Sequence, residues 1–303
     1  MNLKAFEEFC KLNNTEYKKN EPMSEHTTFK TGGNADLFVN VKNTEELKMV
    51  ISEAKKDGIP VFCIGKGSNL LVLDGGIEGI VLSLAGIDSI KISDGYLTAG
   101  AGASLAAVCL VSQHNSLSGL EFAYGIPGSV GGALFMNAGA YGGEISNVIY
   151  SACVADTDGN VFDIKKDDMN LGYRKSIFKD KGYYIVSATF KLNSGSKEDI
   201  KEKMDGFLLK RKEKQPLEYP SAGSTFKRPE GHFAGALIEK NGLKGLNIGG
   251  AKVSEKHAGF IINAGNATSD DICKLMERVK QKVYEADNVM LEPEVIIIGK
   301  ERK

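Results

Sequence analysis

The sequence of 303 residues predicts a mixed α+β fold, and three observations indicate it. Short runs of β-branched and other apolar residues, separated by glycines, follow one another between positions 71 and 106. A second set of such runs, including 148–154 and 183–192, comes after a Gly-rich segment. Helical patterns lie between and after these sets rather than alternating with each strand. The order therefore differs from the regular strand–helix alternation of parallel α/β proteins.

A helix is predicted directly after Asn43, because Asn43-Thr44-Glu45-Glu46 resembles a capping box. Gly58 and Pro60 end this helix, and 61–64 then has the pattern of a short buried strand. The strand leads into the loop formed by Gly65, Lys66, Gly67, Ser68 and Asn69, which offers the glycines and exposed N–H donors of an anion-binding loop. Considered alone, a plain strand-to-loop turn explains the loop equally well.

Further helices are predicted over 103–114, 196–214 and 269–286, and a strand is predicted over 294–298. The last helix begins after a Thr268 capping box and has an apolar stripe expected to be buried, consisting of Ile272, Leu275, Met276, Val279 and Val283. The basic residues near position 214 complement the negative end of their helix dipole, with a phosphate ligand as the alternative explanation. We expect a first domain over 1–195, a connecting helix over 196–214 and a second domain over 215–303.

Composition and charge exclude several classes of protein. Thirty-eight Lys and Arg against 39 Asp and Glu leave a net charge of −1, so we expect no nucleic-acid partner. Five widely spaced cysteines without a C-x-x-C predict neither a disulfide framework nor a metal site. The acidic N-terminus is unlike a signal peptide, which favours a cytoplasmic location. Segment 122–143 lacks charge but contains Pro127 and many glycines, so membrane insertion is rejected.

The common nucleotide-binding motifs fail when they are checked residue by residue. Gly65-Lys66-Gly67 lacks the first glycine and the hydroxyl residue of a P-loop, and the G-x-G sequences lack the third glycine of a dinucleotide-binding motif. A second Gly-rich segment nevertheless spans 125–133 and contains Gly128, Ser129 and Gly131. Two separated Gly-rich segments indicate one large phosphorylated ligand.

These two segments belong to a larger set of ordered motifs, through which the chain resembles the UDP-N-acetylenolpyruvoylglucosamine reductase family nearly from end to end. The motifs are His26-Thr27-Thr28-Phe29 with Gly32-Gly33, residues 65–70, residues 125–132, residues 137–142, Gly172-Tyr173-Arg174, Ser221-Ala222-Gly223-Ser224 with Phe226-Lys227, and Leu291-Glu292-Pro293-Glu294.

The resemblance implies a two-subdomain FAD-binding module of the vanillyl-alcohol-oxidase-like type, divided at roughly 1–85 and 86–195, followed by a C-terminal α+β substrate domain. It also implies bound FAD, NADPH as a transient hydride donor and a sugar-nucleotide substrate that is reduced to UDP-N-acetylmuramate for bacterial peptidoglycan. The residues expected to bind FAD are Gly65, Lys66, Gly67, Ser68, Asn69, Tyr124, Gly125, Pro127, Gly128, Ser129, Gly131 and Gly132.

The resemblance further assigns three catalytic residues. Arg174 would stabilise the negative charge that hydride transfer leaves beside the substrate carboxylate, Ser224 would donate the proton, and Glu294 would assist. Without the resemblance, structural explanations are better. Arg174 would form a surface ion pair, Ser224 would be a turn residue, and the acids on both sides of Pro293 would be solvated. Glu292 is the competitor of Glu294.

Weaker expectations concern substrate binding by Lys227, Arg228 and His257, which are residue types that are more often structural or solvated. Segment 191–200 is too short for the tyrosine-bearing insertion of one subgroup, so the chain resembles the shorter subgroup. Tyr141, Tyr173 and Tyr183 are then candidates for covering the site. Two alternative functions remain at this point: a related flavoprotein oxidoreductase with another substrate, and a non-catalytic sugar-nucleotide or flavin-binding protein. The oligomeric state is not encoded in any motif.

Overall fold

A computed structural model describes residues 2–302. Within that range the α-helices are α1 (Leu3–Leu12), α2 (Thr44–Lys56), α3 (Leu105–His114), α4 (Val130–Phe135), α5 (Ile145–Val148), α6 (Ile177–Lys181), α7 (Lys197–Lys214), α8 (Ala234–Lys240) and α9 (Ser269–Asp287).

The strands in the same range are β1 (Glu16–Pro22), β2 (Asn34–Asn40), β3 (Val61–Ile64), β4 (Leu70–Val72), β5 (Ile77–Ser83), β6 (Ile90–Ser93), β7 (Tyr96–Gly100), β8 (Leu117–Ser118), β9 (Gly139–Ala140), β10 (Gly143–Glu144), β11 (Ile149–Ala155), β12 (Val161–Lys165), β13 (Tyr184–Lys191), β14 (Asn193–Ser194), β15 (Asn247–Ile248), β16 (Ala251–Val253), β17 (Ile261–Asn263) and β18 (Ile296–Ile298).

The chain forms two compact units that do not follow its order. The first contains the residues up to Lys19, Leu37–Lys66 and Gly79–Arg211. The second contains Asn20–Asp36, Gly67–Glu78 and the residues from Lys212 onwards. The domain division expected from the sequence follows chain order and stays a prediction.

The antiparallel sheet of the first unit has the order β12-β11-β13-β7-β6. A separate four-stranded sheet has the order β1-β2-β5-β3, with β3 and β5 parallel. Helix α2 begins as predicted, because the Asn43 side chain accepts a hydrogen bond from the Glu46 N–H at 2.9 Å. The core includes fully buried Phe178 and Phe190. Val130 and Ala133, in the second Gly-rich segment, belong to the same core.

In the second unit, the antiparallel sheet β15-β16-β17 packs against α9, and β18 pairs in parallel with β4. Helix α9 has the predicted capping box: Thr268 accepts from the Asp271 N–H, and the Asp271 carboxylate accepts from the Thr268 N–H, each at 3.0 Å. Its predicted apolar stripe is buried throughout. The Asp74 carboxylate also accepts from the N–H of Ser269, which fixes the start of α9.

One predicted strand is wrong at its beginning. The pattern 294–298 predicts a strand that starts at Glu294, whereas β18 starts at Ile296. The Glu294 N–H instead donates to the Thr225 carbonyl at 2.8 Å, and the Ile296 N–H donates to the Asn69 carbonyl at 3.0 Å. The chain therefore changes its pairing partner between Glu294 and Ile296, which the local apolar pattern does not reveal.

Segment 122–143 consists of a 3-10 turn, the six-residue helix α4 and the short strand β9. Across the described residues, no helix combines the length and apolar character that a membrane span requires.

Candidate active site

Two Gly-rich segments lie side by side in the first unit. A side chain at Gly65, directly after β3, would place its Cβ 2.6 Å from Ser129 Oγ and 3.8 Å from the Gly132 amide nitrogen. Ser129 caps α4 by accepting from the Gly132 N–H at 3.4 Å. A Cβ at Gly131 would lie 2.9 Å from that of Ala101. The packing therefore requires glycine at Gly131, whereas a side chain at Gly65 would displace the Ser129 hydroxyl that caps α4.

The same surface presents backbone rather than side chains to a ligand. Gly65, Lys66 and Gly132 are exposed. Backbone without side chains can approach a ligand closely, so its N–H groups suit a phosphate group. The adjacent Lys66 adds a positive charge. The residues present therefore fit the diphosphate of a dinucleotide cofactor.

Residues Tyr124, Gly125, Pro127 and Gly128 form a turn that is closed by its own backbone. The Ile126 N–H donates to the Ala123 carbonyl at 3.0 Å, and the Gly128 N–H donates to the Ile126 carbonyl at 2.9 Å. A Cβ at Gly125 would lie 3.1 Å from Cδ of Arg211. These backbone bonds restrict the turn, and a restricted turn loses less conformational freedom when it binds a ligand.

Within the Gly65–Asn69 loop, Gly67 is the first residue that belongs to the second unit. Its φ is +59°, and a Cβ there would overlap the His26 carbonyl oxygen. The Gly67 carbonyl accepts from the Thr28 N–H at 3.2 Å, and the His26 ring lies 2.8 Å from the Glu21 carboxylate. Segment 26–28 therefore shapes this loop, which explains why the His26-Thr27-Thr28 motif accompanies it.

Arg174 lies at the tip of a two-residue turn in the first unit. Gly172 and Lys175 exchange two backbone hydrogen bonds of 3.1 Å, which close the turn. Arg174 has a φ of +55°, and its guanidinium carbon lies 5.3 Å from the centre of the Tyr173 ring. A left-handed conformation is costly for an arginine and is commonly retained at functional sites.

Asn137 is a residue that the sequence reasoning did not single out. Its buried side chain donates to the Gly172 carbonyl at 3.2 Å and accepts from the Ser146 N–H at 2.8 Å. It therefore holds the turn that carries Arg174. Its own φ is +43°, which asparagine tolerates better than most residues. The sequence feature that points to it is its place at the start of the Gly-rich motif 137–142.

Ser224 and Glu294 belong to two backbone segments of the second unit that pair with each other. The Glu294 N–H donates to the Thr225 carbonyl at 2.8 Å, and the Lys227 N–H donates to the Glu292 carbonyl at 2.8 Å. Phe226 and Pro293 face each other between these bonds. The pairing brings the Ser224 and Glu294 positions to neighbouring places on one ladder.

The Ser224 side chain is exposed, whereas its neighbours Ala222 and Thr225 are buried. Gly223 has a φ of +77°, and a Cβ there would meet no atom within 4 Å. The Thr225 hydroxyl accepts from the Ile261 N–H at 3.0 Å, so the backbone beside Ser224 is fixed on its buried side. The serine hydroxyl is therefore held on a rigid turn with open space beside it.

The two candidate carboxylates differ in their surroundings. Glu292 is exposed and forms an ion pair of 2.9 Å with Lys227. The Lys227 ammonium group lowers the pKa of the Glu292 carboxyl by hydrogen bonding and by its charge. Glu294 is half-buried and next to the Thr225 pairing. The same ion pair engages Lys227, which is one of the weaker candidates for substrate binding.

Arg228 and His257, the other two weaker candidates, both contact aromatic rings. The Arg228 guanidinium carbon lies 4.5 Å from the centre of the exposed Phe233 ring. His257 Nδ1 accepts from the Gly259 N–H at 3.1 Å, which places the proton of the neutral ring on Nε2, and the ring packs edge-on against Phe260. Burial is the main cause that lowers the pKa of His257, and the charge of Lys244 acts in the same direction.

Comparison with known proteins decides the family. A family model described as "FAD binding domain" matches residues 35–165, and one described as "UDP-N-acetylenolpyruvoylglucosamine reductase, C-terminal domain" matches residues 215–298. A UDP-N-acetylenolpyruvoylglucosamine reductase of Lachnoclostridium phytofermentans is 52% identical over 92% of both chains. One from Clostridium botulinum is 53% identical over 93% of this chain and 92% of its own. The chain belongs to the UDP-N-acetylenolpyruvoylglucosamine reductase family.

A solved structure supports the same assignment. The crystal structure of UDP-N-acetylenolpyruvylglucosamine reductase from Thermus caldophilus has 34% sequence identity and a TM-score of 0.80, and the match covers 93% of this chain and 98% of that one. The predicted family, the α+β fold class with an FAD-binding domain and a C-terminal domain, and the FAD cofactor are thereby confirmed. The roles of individual site residues remain proposals of the family resemblance and of the geometry.

Proposed function

We propose that this chain reduces UDP-N-acetylenolpyruvoylglucosamine to UDP-N-acetylmuramate through bound FAD, with NADPH as the hydride donor. The reaction is a step of bacterial peptidoglycan precursor synthesis. The observation that carries the proposal is identity of 52% and 53% with reductases of this name over more than nine-tenths of each chain. The enzyme acts in the cytoplasm on a sugar nucleotide. It has no nucleic-acid partner, because a net charge of −1 leaves no basic excess to bind phosphates.

The proposed domain roles follow the chain. Residues 1–195 bind FAD, 196–214 form the connecting helix, and 215–303 bind substrate. The two matched segments, 35–165 and 215–298, support this assignment. Within the FAD domain, Gly65–Asn69 and the segment from Tyr124 to Gly132 hold the cofactor through backbone N–H groups.

FAD, when bound, takes a hydride from NADPH and supplies it to the double bond of the enolpyruvyl group. The protein must then stabilise the negative charge that develops beside the substrate carboxylate. The Arg174 guanidinium suits that task, since its planar fork can bind both carboxylate oxygens. The left-handed backbone of Arg174 and the bond from Asn137 to Gly172 in the same turn support this role, because they restrain the backbone from which the side chain starts.

Ser224 completes the reduction by donating a proton to the carbon that carries the charge. A serine hydroxyl is a weak acid, but a carbon with enolate character is basic enough to accept its proton. The exposed hydroxyl on a rigid turn supports this role. Glu294 assists as a half-buried carboxylate on the paired segment, whereas the ion pair with Lys227 makes Glu292 the poorer candidate.

An anaerobic visible spectrum of the purified protein tests the function. Oxidised FAD should bleach on addition of NADPH and regain its colour on addition of UDP-N-acetylenolpyruvoylglucosamine. Bleaching without recovery would indicate another acceptor and support the related oxidoreductase. Binding of both ligands without either spectral change would support the non-catalytic alternative.

Ser224→Ala tests the proposed proton donor. We expect this variant to be reduced by NADPH at the wild-type rate and to lose about 100-fold or more in reoxidation by substrate, since general acid catalysis contributes about that much. Ser221→Ala, which removes a hydroxyl three positions earlier, is the matched control and should leave both half-reactions unchanged. Equal losses in both half-reactions would make Ser224 a structural residue.

A further inference from the structure

Asn69 lies at the end of the Gly65–Asn69 loop, where the resemblance assigns it to FAD. Its side-chain amide instead donates to the backbone carbonyl of Glu294 at 3.1 Å. The Asn69 carbonyl also accepts from the Ile296 N–H at 3.0 Å. Asn69 therefore contacts the backbone on both sides of Val295, although 225 positions of sequence separate it from Glu294.

Glu294 is held from the other side as well. Its N–H donates to the Thr225 carbonyl at 2.8 Å, and Thr225 is fully buried and is bonded to both Gly259 and Ile261. The peptide groups before and after the Glu294 α-carbon thus have separate partners, Thr225 and Asn69. Because these two bonds restrain the backbone at that residue, they also restrain where its side chain begins.

We propose that Asn69 is a positioning residue for Glu294: its side-chain amide holds the Glu294 backbone, and so connects the cofactor loop to the catalytic carboxylate. This inference rests on the proposed function, in which Glu294 assists reduction of the substrate. It changes the expected role of Asn69, which acts through Glu294 in addition to completing the loop.

The location of Asn69 explains why a bond to one carbonyl matters. Glu294 occupies the point where the chain leaves its pairing with 225–227 and begins its pairing with β4. At this change of partner the Asn69 side chain adds a third bond to the backbone bonds from the Glu294 and Ile296 N–H groups, and it is the bond made to the carbonyl of Glu294 itself. A displacement of the carboxylate by a fraction of an ångström is sufficient to slow a step that depends on near-attack geometry.

Asn69→Ala and Asn69→Asp test the proposal in the FAD-loaded enzyme. The aspartate has the shape of asparagine but cannot donate to the Glu294 carbonyl. For both variants we expect reoxidation by saturating substrate to slow about tenfold, in line with the cost of a misplaced group, while NADPH reduces the flavin within about twofold of the wild-type rate. The dissociation constant of FAD, measured by titration of the apoprotein, should rise by less than about threefold.

Asn241→Ala is the matched control. Asn241 lies in the same unit, and its side-chain amide donates to the Leu237 carbonyl at 2.8 Å and to the Asp287 carboxylate at 2.6 Å, so its removal costs at least as many bonds. It should lower the urea midpoint of unfolding as Asn69→Ala does, yet leave both half-reactions unchanged. A comparable loss of reoxidation in Asn241→Ala would show that general destabilisation causes the effect and would overturn the proposal.

The decisive measurement combines Asn69→Ala with Glu294→Gln. If Asn69 acts through the carboxylate, adding Asn69→Ala to Glu294→Gln should change the reoxidation rate by less than about twofold, because effects of coupled residues are not additive. A full tenfold loss in that background would overturn the proposal, and so would a large loss of FAD affinity with equal losses in both half-reactions. Failure of the wild-type enzyme to be reoxidised would instead refute the proposed function, which keeps the two outcomes apart.

Discussion

Gly67→Ala is the substitution for which the structure predicts the largest effect in the cofactor loop. Gly67 has a φ of +59°, and a Cβ there would overlap the His26 carbonyl oxygen and lie 2.9 Å from Thr27 Cα. Both obstacles are backbone atoms, so rotation of a side chain cannot relieve the overlap. The loop must therefore move away from segment 26–28 and lose the bond from the Thr28 N–H to the Gly67 carbonyl.

The expected loss of unfolding free energy in Gly67→Ala has two parts, which a control variant can separate. An L-residue in the left-handed region costs about 1–2 kcal/mol. Gly242 has a φ of +66°, and a Cβ there would meet no atom within 4 Å, so Gly242→Ala incurs only this backbone part. Overlap with backbone and loss of one hydrogen bond add about 2 kcal/mol or more for Gly67→Ala.

Urea unfolding of the apoprotein and FAD titration measure the two consequences. We expect Gly67→Ala to lose at least about 2 kcal/mol more unfolding free energy than Gly242→Ala, and to weaken FAD binding about tenfold or more through the displaced loop. Gly242→Ala should bind FAD as the wild type does. Equal unfolding free energies for the two variants would refute the steric reasoning, and unchanged FAD affinity in Gly67→Ala would remove this loop from the cofactor site.

Three further predictions concern other parts of the enzyme. Arg174→Lys should slow reoxidation by substrate about tenfold or more and spare reduction by NADPH, because a point charge cannot reproduce a bidentate fork, and stopped-flow absorbance measures both steps. Asn137→Asp retains the acceptor for the Ser146 N–H but loses the donor to the Gly172 carbonyl, so the same assay should show slower reoxidation by substrate. Since folding lowers the pKa of His257, this ring takes up its proton at a higher pH in the unfolded chain than in the folded one. Urea unfolding at about pH 7.5 and pH 5.5 should therefore show a decrease in stability on acidification that is smaller in His257→Gln; an equal decrease in both proteins would exclude His257 as its source.

Local patterns predicted those parts of the fold that local interactions determine. Helices α2 and α9 begin at the predicted capping residues, because an N-cap and its partner are only three positions apart. The strand at Val61–Ile64 has the predicted bounds, and the apolar stripe of α9 is buried as predicted. The α+β class followed from these elements, whereas the family and the cofactor came from several motifs in one order.

The parts that could not be predicted depend on contacts between distant positions. No local signal indicates that Asn137 bonds to the Gly172 carbonyl, or that Arg174 has a positive φ. The same is true of the division into units, since the second unit contains three separate stretches of the chain. Glycine spacing predicts which loops would approach a ligand, but it does not predict which neighbouring backbone each glycine meets.

The segment around Glu294 shows that a motif can suggest a catalytic residue without revealing how the backbone of that residue is held. The apolar pattern of 294–298 predicts one continuous strand, yet the Glu294 N–H pairs with Thr225 and the Ile296 N–H pairs with Asn69. A residue at such a change of partner depends on two distant segments, one beside Ser224 and one at the end of the cofactor loop. Order at Glu294 therefore requires that both segments are folded, which would link assembly of the catalytic carboxylate to the order of the loop that we assign to FAD.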